Sequence, residues 1–356
     1  MSVQNKARNQ KIIAIFREKV IDILLDWDKT QFVGSLFLII LLIILPVLIK
    51  SPYYLNILIM TALYAFLGLA WNIIGGFAGQ FFMGFCSFFG VGAYTTIILL
   101  NTYGVSPWIG IPLAAIPASM VGGLYAFIAL RYGLKKDYLA LFTLASMVIL
   151  GIVASQLDIT HGAMGMWISF KEDSLINMTF LHKEPYLYIA IGLLIFGVLV
   201  HYKVYRSKTG RYMVAVREDE DAAAALGVNT SQIKSFGVIL CAALAGIGGG
   251  FYAVYTTYIQ PFLVFSYSQN VEFIAAPVIG GRGSIIGPLL GAFVNKPLVE
   301  IIRGTFAAET NGTSVLIYGL FLIIFIRFLP NGIAGLLNKP YDSFRRKLLR
   351  RLQKKE

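Results

Sequence analysis

The sequence predicts an all-α membrane protein: a polytopic bundle of eight to ten transmembrane helices with a Gly-rich broken or re-entrant helix region. Three observations predict it. Of 356 residues, 57% are hydrophobic and only 13% charged, against ~25% charged in ordinary soluble domains. Much of a soluble fold's surface must face water, so soluble enzymes and disordered proteins are excluded. Eight apolar stretches approach the roughly 20 residues needed to cross a bilayer. The basic residues, finally, fall in alternate connections between those stretches, as membrane topology requires. Runs of alternating ten-residue strands, the mark of a membrane barrel, do not occur.

Residues 1–31 form a polar tail carrying Lys6, Arg8, Lys11, Arg17, Lys19 and Lys29. No cleavable signal peptide is expected there. Spans are predicted at Phe32–Ile49, Leu55–Ile74, Phe82–Leu100, Trp108–Leu130, Tyr138–Leu157, Tyr186–Tyr202, Phe236–Ile259 and Ser314–Leu329, so the membrane domain runs over 32–337. Arg131, Lys135 and Lys136 lie in the link Arg131–Asp137, and Lys203, Arg206, Lys208, Arg211, Arg217 and Lys234 in the link 203–234. The tail 338–356 adds Lys339, Arg345, Arg346, Lys347, Arg350, Arg351, Lys354 and Lys355. Alternating the eight spans from an inside N-terminus puts all four basic segments and both termini in the cytoplasm. The link 158–185, with only Lys171 and Lys183, falls outside. The net charge of +12 thus reflects topology, and no nucleic-acid partner is expected.

A ninth apolar region, Val271–Arg303, is interrupted by Gly280, Gly281, Arg282 and Gly283. Parity allows it no net crossing or two. Its length gives roughly 50 Å of helix, short of the roughly 60 Å that two full crossings need. A re-entrant hairpin, or two short or tilted segments joined at the glycines, is therefore expected. Non-helical backbone at depth must be covered by protein or line a watery cavity, so this break is a candidate translocation-pathway element. The texture of Gly75, Gly76, Gly79 and Gln80 is similar and joins the candidates. Glu272 is an intramembrane acid and hence a functional candidate by default. The alternative is that it, Arg282, Lys296, Glu300 and Arg303 sit at helix ends and snorkel. The small-residue stripes Gly283/Gly287/Gly291 and Ala242/Gly246/Gly250 allow close helix approach, within one subunit or at an interface.

The link 203–234 contains four acids followed by an alanine run, Glu218, Asp219, Glu220 and Asp221, then Ala222 to Ala225. The acids suit a helix N-terminus, and Gly227 suits its left-handed stop. Spacing alone leaves two readings open: a solvated loop helix, or an element that docks in a groove of another protein. No GxxxxGK[ST] phosphate loop is present. His161, His182 and His201 have no metal-ligand spacing, and Cys86 and Cys241 form no CxxC motif. No catalytic residue, metal site or cofactor is expected.

Taken in order, several segments resemble the permease subunits of branched-chain amino acid ABC importers, the LivM-type branch. They are Asn72–Gln80 with Phe89–Tyr94, Arg217–Asn229 followed by Lys234 and Ala243–Gly246, Gly280–Ser284 with Gly287, Pro288, Gly291 and Ala292, and Phe328–Gly332. The resemblance implies a non-catalytic permease subunit in a bacterial or archaeal plasma membrane. It implies a homologous second permease, two cytoplasmic ABC ATPase subunits, an external solute-binding protein and the lipid bilayer as partners. The small-molecule substrate would be a branched-chain or other hydrophobic amino acid, moved by alternating access. It also assigns ATPase coupling to Arg217, Glu218, Asp219, Glu220, Ala222, Ala223, Leu226, Gly227 and Lys234. A urea or short-amide importer permease and an ion-coupled secondary transporter are the alternatives.

Overall fold

The computed structural model describes residues 27–48, 51–134, 136–168, 174–305 and 311–336. Most of the basic tails, with Lys135 and Lys171, lies outside them. Among the described residues eight helices are long and apolar enough to cross a membrane.

In chain order the helices are α1 (Trp27–Leu48), α2 (Pro52–Trp71), α3 (Phe85–Tyr103), α4 (Pro107–Leu113), α5 (Ala115–Arg131), α6 (Lys136–Ala154) and α7 (Glu184–Arg206). Then come α8 (Lys208–Glu218), α9 (Glu220–Ala225), α10 (Thr230–Thr256), α11 (Pro261–Val264), α12 (Tyr267–Gly280), α13 (Gly287–Thr305) and α14 (Asn311–Phe328). Local chemistry sets many of the ends. Proline opens α2, α4 and α11, where the missing N–H costs nothing. Ser207, Asp219, Asn229 and Ser266 cap α8, α9, α10 and α12 with side-chain oxygens. Left-handed Gly104 ends α3.

Two helices form the centre. In the most apolar 18 residues of the span Pro52–Phe77 89% are buried and in those of Thr230–Thr256 72%, whereas in Gly312–Leu336 only 6% are, at the periphery. Small residues let α10 approach its neighbours at backbone distance. A Cβ on Gly249 would strike the Phe89 carbonyl, and one on Gly92 the backbone of Gly246. Gly246 faces Ala118, and Gly250 faces Thr96 and Ile111. The stripe Ala242/Gly246/Gly250 therefore joins α10 to α3, α4 and α5 of the same chain. At one end of the bundle a two-residue antiparallel ribbon pairs Met166 with Ile259 and Trp167 with Tyr258.

The region Val271–Arg303 resolves into two helices, α12 and α13, packed antiparallel. Gly280 meets the Gly287 carbonyl, Gly291 meets that of Ala276, and neither position has room for a Cβ. Their 14 and 19 residues make about 21 and 29 Å of helix. The glycine break joins them as a tight loop, 281–286, at the end of the hairpin. The apolar span containing α12 begins earlier than the sequence suggested, at Pro261.

Candidate functional site

The loop 281–286 sits in a junction built by side chains far apart in sequence. After α2 the chain runs into a π-helical turn, Asn72–Phe77, a feature that clusters at functional sites. Asn72 is fully buried. Its Oδ1 accepts from Gly283 N at 2.9 Å, and its Nδ2 donates to the Ser284 carbonyl at 3.0 Å. The same Nδ2 lies 2.9 Å from His201 Nε2, so that ring nitrogen must be the acceptor. His201 of α7, also fully buried, packs against Phe77 with the rings tilted and their centroids 4.5 Å apart. From α1, Gln31 Oε1 accepts from Ile285 N at 2.7 Å. Ser284 closes the loop, donating to the Gly281 carbonyl and accepting from Gly287 N at 3.0 Å.

The two similar glycine segments meet here. A Cβ on Gly76 would run into Gly283 N, and one on Gly283 into Arg217. Gly281 and Gly283 have φ of 119° and 75°, conformations that side chains other than glycine rarely accept. Gly281 also packs against Asn331, Gly332 and Ala334 beyond α14. Arg282 is exposed at the loop tip.

Arg217 connects this junction to the polar segment α8–α9. Its Nη1 donates to the Gly76 carbonyl at 2.9 Å, and its guanidinium pairs with Glu218 at 2.6 Å. Gly79, with φ of 65°, packs on the aliphatic stem of Arg217. Asp219 accepts from Ala222 N at 2.9 Å and starts α9. Glu220 pairs with Lys234 at 2.5 Å, tying α9 to the start of α10. Left-handed Gly227, φ 86°, follows the helix. Of the alanine run, Ala223 is buried against the chain's own structure at 4% exposure, while Ala222, Ala224 and Ala225 are exposed. Leu226 is 86% exposed. The face available to a partner is thus Ala222, Ala225 and Leu226, not Ala223. Gln80 lies apart from this contact, beside Phe82, Tyr125 and Lys234 in a small pocket.

Glu272 belongs to a second cluster, inside the hairpin. It is 1% exposed, accepts from Tyr64 OH at 3.2 Å and lies 3.5 Å from Lys296 Nζ. Arg303 pairs with its other oxygen. Lys296 also pairs with Glu300 at 2.7 Å and sits 4.2 Å over the Tyr64 ring. The two acids and two bases balance, as a low-dielectric site requires. Lys296 is 3% exposed, so helix-end snorkelling does not describe Glu272 and Lys296.

Sequence reading did not single out Gln31 or His201, and met Asn72 only as part of a motif. All three are polar groups inside or beside apolar runs, which was the available signal. Among the described residues, no group of acids, histidines and cysteines could hold a metal.

Residues 53–325 match the family described as branched-chain amino acid transport system / permease component. The chain is 29% identical over 332 residues to the high-affinity branched-chain amino acid transport system permease protein LivM of Escherichia coli K12, covering 86% of this chain and 76% of that one. It is 26% identical over 298 residues to the probable branched-chain amino acid transport permease protein LivH of Methanocaldococcus jannaschii, covering 79% and 90%. Over 169 residues it is 28% identical to the permease protein BraD of Pseudomonas aeruginosa, covering 47% and 52%. No solved structure is a significant match.

Proposed function

The chain belongs to the branched-chain amino acid transport permease family, and from that premise we propose that it carries branched-chain or other hydrophobic amino acids across the plasma membrane. It is a non-catalytic subunit. Two ATPase subunits in the cytoplasm supply the energy, a homologous second permease completes the pathway, and an external solute-binding protein delivers the cargo. The basic links support a cytoplasmic side for α8–α9 and for both termini.

The observation that carries this reading is the bridge made by Arg217. A segment with an exposed docking face, Ala222, Ala225 and Leu226, is bonded through Arg217 to the Gly76 carbonyl. The same turn holds the loop of the α12–α13 hairpin through Asn72. A push on α9 therefore reaches two membrane helices and the hairpin through hydrogen bonds and glycine contacts that cannot yield independently. ATP-driven closure of the ATPases would move α8–α9, and this junction would convert that movement into opening of the pathway on the other side.

Leu226→Glu tests the docking face. A leucine that a docked ATPase subunit would cover, replaced by a charge, should lower co-purification of the ATPase subunits by about tenfold or more. The variant should insert and accumulate like the unmodified protein, because Leu226 is almost fully exposed in the single chain. Undiminished ATPase capture would remove α9 as the docking element.

A further inference from the structure

We propose that the groove between α5 and α10 binds one anionic phospholipid of the cytoplasmic leaflet, with an acyl chain laid along the two helices and the phosphate against Arg131. This goes beyond the transport reading and uses only the side that reading gives to the basic links.

Two neighbouring glycines of α5 do different work. A Cβ on Gly122 would strike that of Ala242 at 2.6 Å, so this position lets α5 touch α10. A Cβ on Gly123 would meet nothing closer than Ile239, at 4.0 Å. Packing within the chain does not require a glycine there, and its missing side chain leaves a gap beside the helix contact. The gap belongs to a groove of about 500 Å³, within the size range of small-molecule sites. Gly123, Phe127, Leu130 and Ile239 line its apolar length. Met120, Leu124 and Phe127 are exposed and recur at helical spacing on one face of α5, the face that bilayer hydrocarbon covers.

One end of the groove is polar. Arg131 closes α5 and Ser235 lies near the start of α10, and both line the groove. The Arg131 guanidinium is exposed, and neither it nor the Ser235 hydroxyl has a partner among the described residues. Lys234, by contrast, is committed to Glu220 at 2.5 Å. A free cation and a free hydroxyl thus stand together where the chain leaves the membrane, with exposed Tyr132 and Tyr138 beside them at the level aromatic residues favour. Basic pockets between membrane helices on this side suit anionic headgroups. A phosphate accepts from Arg131 in a charge-assisted bond, while the chain attached to it fills the gap at Gly123. Net charge selects the lipid. A phosphatidylglycerol headgroup leaves one negative charge for Arg131, whereas phosphatidylcholine carries its own cation.

The test uses the full chain, extracted in mild detergent with any subunits that stay on it and stripped of native lipid. It receives equal amounts of phosphatidylglycerol and phosphatidylcholine, and native mass spectrometry counts what is bound. One phosphatidylglycerol should be retained, preferred about fivefold, the worth of one cation near an anionic headgroup. Arg131→Gln should abolish the preference and Arg131→Lys should keep it. Gly123→Leu fills the groove and leaves Arg131 in place, so retention of both lipids should fall about tenfold. Its thermal midpoint should not fall, because the new side chain enters open space. Equal retention of the two lipids by the unmodified protein overturns the site, as does unchanged phosphatidylglycerol retention in Gly123→Leu. Loss of a second subunit from Gly123→Leu with no change in bound lipid also overturns it, by making the groove a subunit interface. Should Arg131→Gln fail to accumulate, the unmodified protein and Gly123→Leu decide between them.

Discussion

Asn72 holds more of the junction together than any charged residue does. Its one amide meets Gly283, Ser284 and His201. Asn72→Leu would leave the half-buried Gly283 N–H and Ser284 carbonyl without these partners, at about 1 kcal/mol for each, the lower end of the cost of an unsatisfied buried group. Thermal unfolding of the purified chain should show the loss; an unchanged midpoint would mean that the amide is dispensable. Arg217 is expected to behave differently. It is partly exposed and lies at the edge of the core, so Arg217→Gln should cost little stability. Uptake should nevertheless fall while ATPase capture persists, since the link to Gly76 and the exposed pair with Glu218 are cut but the face of α9 is untouched. Simultaneous measurement of capture and uptake checks this. The importance of these residues was only partly legible in the sequence. Arg217 and the glycines stood out by type and spacing. Asn72 gains its role from residues more than 200 positions away, and Gln31 from a loop more than 250 positions away. Ala223 shows the opposite limit: the family resemblance assigned it to ATPase coupling, but its side chain is buried in the chain's own interior.

Among the elements, the α12–α13 hairpin was the least predictable. Seven of the other spans follow from runs of apolar residues, with observed ends within several residues of the expected ones; the expected Phe32–Ile49 corresponds to a shorter apolar helix, Thr30–Pro46, and Pro261–Gly280 is the eighth of membrane length among the described residues. Val271–Arg303 resisted because α13 carries Asn295, Lys296, Glu300 and Arg303, which lower its apolar character. What makes those charges tolerable is Glu272 on the antiparallel neighbour, a pairing invisible in a linear reading. The hairpin depends on backbone contact at Gly280, Gly287 and Gly291. Gly291→Leu should force α12 and α13 apart, at a cost of about 1–3 kcal/mol or more, and lower the yield of folded protein. Gly283→Leu should act differently, because it strains a positive-φ loop and crowds Arg217. Transport should fall further than membrane insertion does, and comparing uptake with the amount of inserted protein decides it.

At the scale of the molecule, two buried helices, α2 and α10, organise a bundle whose periphery includes α14. The polar segment α8–α9 and the hairpin loop lie at the same end, joined by Arg217, Gly76 and Asn72. The sequence carried the class of this architecture through its apolar runs and its basic links. It could not show that the two glycine-rich segments touch. If α9 is cytoplasmic, a single cysteine at Asn229 should react with a membrane-impermeant reagent only in inverted vesicles, and one at Met164 only in intact cells; the reverse pattern would invert the topology. The central claim is that energy enters from ATPases outside this chain. Uptake of radiolabelled leucine into vesicles holding the complete assembly tests it most directly, with the driving force varied. The account predicts accumulation that requires ATP and the ATPase subunits and is insensitive to collapse of proton and sodium gradients. Accumulation by this permease without ATPases, driven by either gradient, would contradict it.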